Sequence, residues 1–191
     1  MNKIAVIAIA GLATVASADV LLELDLSVVN QVTITATDGL SAATISGGDN
    51  TGVYFADFFN GGNGGSVIET FVTGDLTNAE NPSNGSPNLY RTSNQSSPSY
   101  TGLNMYAWST DDTVDFTAGS LAFVGSATFG LDSEDYADML AGNTSGDLYF
   151  PLDDLDDISE SALIGQWNVV PAPGSMALLG LGGIVAGRRR R

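Results

Sequence analysis

Residues Gln31 to Thr37 alternate without a break: Val32, Ile34 and Ala36 face one way, and Gln31, Thr33, Thr35 and Thr37 the other. A period of two belongs to a β-strand with one buried face, not to a helix. The same period places Leu22, Leu24, Leu26 and Val28 on one face across Val20 to Val29, with Glu23 and Asp25 between them. Further strands are expected at Val53–Phe58, Val67–Thr73, Leu103–Trp108, Thr113–Thr117, Leu121–Phe129, Asp147–Phe150 and Ala162–Val170, all rich in Val, Thr, Phe or Tyr. Asp38-Gly39, Gly47 to Asn50 and Gly61 to Gly65 are turn punctuation. One short helix is expected. Asp132 or Ser133 would cap it, Glu134 and Asp135 suit its first turn, and Gly142 follows its end. Tyr136, Met139 and Leu140 are expected to face the core. The predicted fold class is all-β: an antiparallel β-sandwich or jelly roll with one short helix.

The segment 74–101 breaks this rhythm. It holds five asparagines, many serines and three prolines, with little apolar content beyond Leu76, Leu89 and its tyrosines. It reads as a long polar loop, either a surface insertion or a ligand-contacting loop. In the second case Tyr90, Arg91 and Tyr100 are its large side chains. Aromatic faces beside Asn and Asp suit sugars, although the combination is common in loops.

Both termini lie outside the β pattern. Lys3, the apolar run Ile4 to Val15, and the small-x-small triplet Ala16-Ser17-Ala18 have the form of a signal peptide. Cleavage would leave Asp19 as the first mature residue. The apolar run is short for a membrane span, which needs about 20 residues. At the other end Pro171-Ala172-Pro173-Gly174 precedes an apolar run from Ser175 to Gly187 and then Arg188, Arg189, Arg190 and Arg191. The expected organisation is a signal peptide at 1–18, one domain at 19–170, and a tail at 171–191 carrying a single short hydrophobic helix at 175–187.

Charge sharpens the division. Of 6 basic residues, Lys3 precedes the domain and the four arginines follow it, so Arg91 stands alone within it against all 22 carboxylates. Such a domain repels phosphate backbones, which argues against nucleic-acid partners. The chain has no His and no Cys. That removes Ser-His-Asp and Cys-His nucleophilic systems, thiolate redox chemistry and nearly all zinc, copper and haem sites. The domain also has no Lys, so Schiff-base catalysis and a P-loop lysine are excluded.

Two kinds of site survive. A carboxylate pair of the glycosidase type is available, but among 22 carboxylates some pair at a suitable distance is expected by chance. A hard cation held by oxygen ligands is the other. The cluster Asp153, Asp154, Asp156 and Asp157 is the favoured calcium site, although Leu152, Leu155 and Ile158 interleave with it as in the wet face of an amphipathic turn. The Asp111-Asp112-Asp115 group and the Asp132-Glu134-Asp135-Asp138 group match no EF-hand spacing, and helix capping accounts better for the latter. No other cofactor is expected.

The tail reads as a membrane address. Its prolines end regular structure, its apolar run is short, and its arginines would stay on the cytoplasmic side. The run from Val170 to Gly183 followed by Arg188–Arg191 resembles the PEP-CTERM sorting tail of Gram-negative bacteria, a family also known under an ice-binding-protein C-terminal name. Ala172 departs from the usual Glu between the prolines and is similar to a Pro-Ala-Pro form in planctomycete-like members. The resemblance covers only the tail. It implies recognition by an exosortase, an integral-membrane cysteine transpeptidase, and delivery to the cell surface or extracellular matrix, often alongside exopolysaccharide. Ice binding would need flat ranks of threonines, and only Thr33, Thr35 and Thr37 approach that. The expected function is a non-enzymatic surface or matrix component, with signal peptidase and exosortase as partners. The residues leave open a carbohydrate-binding sandwich, with calcium as its candidate ion, and a small secreted glycosidase.

Overall fold

The computed structural model describes residues 18–48, 50, 52–61, 69–82, 87–94, 97–106, 113–152 and 161–170, and structural statements refer to these. In chain order they form β1 (Val20–Asp25), β2 (Gln31–Ala36), β3 (Ile45–Gly47), β4 (Val53–Phe55), β5 (Glu69–Gly74), β6 (Thr77–Asn78), β7 (Asn88–Asn94), β8 (Ser97–Tyr106), β9 (Val114–Phe116), β10 (Phe123–Val124), β11 (Ser126–Leu131), α1 (Ser133–Ala141), β12 (Ser145–Phe150) and β13 (Ala162–Val170). The chain is all-β with one short helix.

Nine strands make one sheet in the order β5-β11-β2-β1-β13-β12-β4-β8-β7. Its two outer strands come together: β5 lies beside β7, and the Leu89 amide of β7 donates to Glu69 Oε1 of β5 at 3.4 Å. The sheet therefore curls until it is nearly a barrel, which shields its edges. One pairing departs from the antiparallel expectation. β1 and β13 run parallel, Val20 beside Gln166 and Asp25 beside Val170. A parallel pair needs a long crossover, and here the whole domain supplies it.

This pairing gives the sheet two distinct ends. At the head end, where β1 starts, β3 pairs with β9 and β6 with β10 as small covering sheets. Phe116 meets Phe123 and Phe150 edge-on there, at 5.1–5.4 Å. Asn78, fully buried, donates to the carbonyls of Asp115 and Ala122 and accepts from the Asn81 amide, so its burial leaves no amide group unpaired. At the tail end, where β13 stops, α1 crosses from β11 to β12.

The core follows the alternation of the strands. Val32 and Ile34 of β2, Ala127 and Phe129 of β11, Leu148 and Phe150 of β12, and Ile164 and Trp167 of β13 are all buried. Each large apolar side chain so buried contributes about 1.5–3 kcal/mol. Trp167 packs on Phe58 at 4.8 Å and on Phe55 at 6.3 Å. Alternation fails in more than one place: Val53, Tyr54 and Phe55 of β4 are buried in succession. Leu21 and Leu22 are both buried because the register slips between Val20 and Leu22. Leu21 occupies the space over Gly165, where a Cβ would stand 2.3 Å from Leu21 Cγ.

Three local expectations are corrected. The segment 74–101 is not a long loop: it carries β6, β7 and the start of β8. Its two-residue period was hidden because one inward position of β7 is Leu89 and the next is Arg91. Val28 does not share the buried face of β1, which ends at Asp25; it is exposed in the turn that follows. Leu140 faces solvent, since the core accepts only Met139 and part of Tyr136 from α1.

Candidate sorting site at the tail end of the sheet

β13 is the middle strand of nine. Its last residues are held from both sides: Val170 stands beside Asp25 of β1, and the Val169 amide donates to the Thr144 carbonyl at 2.7 Å. Pro171 has no amide hydrogen and restricts its predecessor to extended backbone, which Val170 adopts as a strand residue. The tail thus joins the domain at the centre of the sheet with no spacer between strand and prolines.

The surroundings of this junction are tied together by identifiable contacts. Asp132 caps α1, its Oδ1 accepting from the amides of Glu134 and Asp135 at 2.9 and 2.8 Å. Those two acids sit in the first turn, where the helix dipole favours them. The Tyr136 hydroxyl donates to the Leu26 carbonyl at 2.8 Å, tying α1 to the segment that follows β1. Asp138 accepts from Arg91 Nη1 at 2.6 Å, tying α1 to β7. The Asn143 amide donates to the Phe58 carbonyl at 2.9 Å as the chain turns into β12.

Residues 169–191 match the family model of the PEP-CTERM protein-sorting motif. The tail is a PEP-CTERM sorting tail. Its motif begins two residues inside β13, so the sorting element and the domain share Val169 and Val170. A PEP-CTERM tail marks an exported protein targeted by an exosortase to the cell envelope or surface. The match covers only this end of the chain, and no curated protein and no solved structure matches significantly.

Of the PEP-CTERM residues named from sequence, Pro171, Ala172, Pro173, Gly174 and Arg188–Arg191 lie outside the described residues, as do Ala16 and Asp153, Asp154, Asp156 and Asp157. Ala18 and Asp19 are described. Asp19 is already part of the fold: its carbonyl accepts from the Gln166 amide at 2.8 Å, and its Oδ2 accepts from the Leu40 amide at 3.0 Å. Among the described residues no helix is long and apolar enough to cross a membrane, and no cluster of three or more acidic side chains is arranged to hold a metal ion.

The proposed ligand-contacting trio is split. Tyr90 is half-buried on β7, and Tyr100 lies on β8. Arg91 is buried, 3% exposed. Its guanidinium sits 3.9 Å from the centroid of the Phe59 ring, pairs with Asp138 and donates to the Gly61 carbonyl. That geometry makes it an internal strut and corrects its assignment as a surface ligand group. Sequence reasoning missed Asp138 as its partner. The signal was available, because a lone cation among carboxylates is the natural centre of a buried ion pair. Asp115, named from sequence only as part of a carboxylate cluster, has its carboxyl held below its ordinary 3.8 by side-chain hydrogen bonds from Ser46 and Asn81.

Proposed function

We propose that this chain is a non-enzymatic component of the cell surface or extracellular matrix of a Gram-negative bacterium. In this reading signal peptidase removes residues 1–18, the domain reaches the outside, and the run Ser175–Gly187 lodges in the membrane with Arg188–Arg191 on the cytoplasmic side. The exosortase then acts at the tail. The observation that carries the reading is the PEP-CTERM match beginning within β13, which joins a sorting element directly to a folded domain. Among the described residues, the first carbonyl to accept a backbone hydrogen bond is that of Asp19, which is compatible with a mature chain that starts there.

The acidic domain supports a matrix role in a second way. Its one basic residue, Arg91, is buried, so its surface offers carboxylates without a matching cation. Replacing Arg188–Arg191 with serine tests the sorting step. The expected outcome is loss of surface retention, with the protein released or mislocalised on fractionation. Unchanged retention would mean that the tail is not the sorting element.

A further inference from the structure

The three most exposed large apolar side chains of the described surface gather at one end of the molecule. They are Val29 at 71%, Leu140 at 56% and Val28 at 55% exposure. Isolated exposed apolar residues are ordinary; the informative fact is where these stand. Val28 and Val29 form the tip of the β1–β2 hairpin, closed by the Gln31 amide donating to the Val28 carbonyl at 3.1 Å, with Asn30 at φ 59. Polar residues, Gly or Pro usually fill such a turn. Leu140 belongs to α1, which crosses the same end.

The parallel register relates this tip to the tail. Asp25 stands beside Val170, and both strands run the same way. The β1–β2 hairpin remains paired as far as Asp25 and Thr33. Its tip therefore lies past the level of Val170, on the side toward which β13 runs. Between Val170 and the apolar run at Ser175 there are only the residues Pro171 to Gly174, which reach at most about 14 Å when extended. A membrane holding that run is thus within reach of the hairpin tip.

We infer that the Val28-Val29 tip, with Leu140 of α1 at the same end of the sheet, is a lipid-contacting surface that seats the tail end of the domain on the bilayer while the tail is anchored. The inference rests on the membrane-anchored reading of the tail given above. The lipid it fits is zwitterionic, because Asp25, Asp132, Glu134 and Asp135 stand at the same end and would repel anionic headgroups. Seating would hold the strand–tail junction at a fixed height above the membrane.

The chain has no cysteine, so single labels are straightforward. The full chain in phosphatidylcholine vesicles is labelled with an environment-sensitive fluorophore at Val29→Cys, at Val124→Cys on the head end, or at Leu179→Cys in the tail. Spin-labelled phosphatidylcholine should quench the labels at 29 and 179 and spare that at 124. Quenching at 179 without quenching at 29 overturns the seating and leaves the anchored reading intact. Absence of quenching at 179 overturns both. A label at 29 that is already blue-shifted without lipid would show the tip covered by the tail's own apolar run or by a second copy, which also overturns the lipid assignment.

Discussion

Arg91 is the residue on which the tail end most depends. It is the domain's one cation, it is buried, and it joins β7, α1, Phe59 and the Gly61 carbonyl. Removing one partner of a buried pair leaves the other uncompensated, although Asp138 is 29% exposed and keeps some hydration. Arg91→Met is expected to cost about 2–4 kcal/mol in denaturant unfolding, and pairing it with Asp138→Leu should return part of that loss. Additive losses in the double variant would contradict the coupling. Asp115 sets a pH limb. Its folded carboxyl is held below the ordinary value by Ser46 and Asn81, so the charged form stabilises the fold. That contribution is complete above the unfolded value of 3.8 and is lost as pH falls through the folded value. Asp115→Asn should lower the melting temperature at pH 7, and the gap to the parent should narrow toward pH 3. A gap constant with pH would remove this assignment.

At the scale of elements, close contacts at glycines decide where strands can sit. Gly102 in β8 faces Tyr54, and a Cβ there would stand 2.0 Å from the Tyr54 ring. Tyr54 pairs with Asn104 and is buried, so the ring has no free volume to enter. Gly102→Ala is expected to destabilise by about 1–3 kcal/mol through overpacking, measured by chemical denaturation. No change would mean that β4 and β8 can separate at no cost. The predicted helix formed because its cap, its acidic first turn and its following glycine are local features, legible without any partner. β7 was not legible, because its inward positions alternate between Leu89 and Arg91, and Arg91 is tolerated inside only through Asp138 on an element far away in sequence.

For the whole molecule, charge is the dominant long-range term. All 22 carboxylates lie in the domain, and its one cation is buried. Self-repulsion of a surface so biased weakens the compact state, and salt screens it over about 8–10 Å at physiological strength. The melting temperature is therefore expected to rise as monovalent salt increases from low to physiological concentration; a flat or falling curve would show that repulsion is not limiting. The near-barrel arrangement also gives the molecule two unlike ends. Small sheets cover the head end. α1, the hairpin tip and the tail junction share the other end.

The all-β class, the short helix and its cap, and the sorting motif were all readable in the chain. Each depends on residues close together in sequence, where period, turn chemistry and charge act locally. The parallel pairing of β1 with β13, the burial of Arg91 against Asp138, and the placing of Val28 and Val29 beside the tail junction were decided by tertiary structure alone. These features join residues 47 to more than 140 positions apart. Such contacts depend on how the whole sheet closes, and no local pattern records that closure.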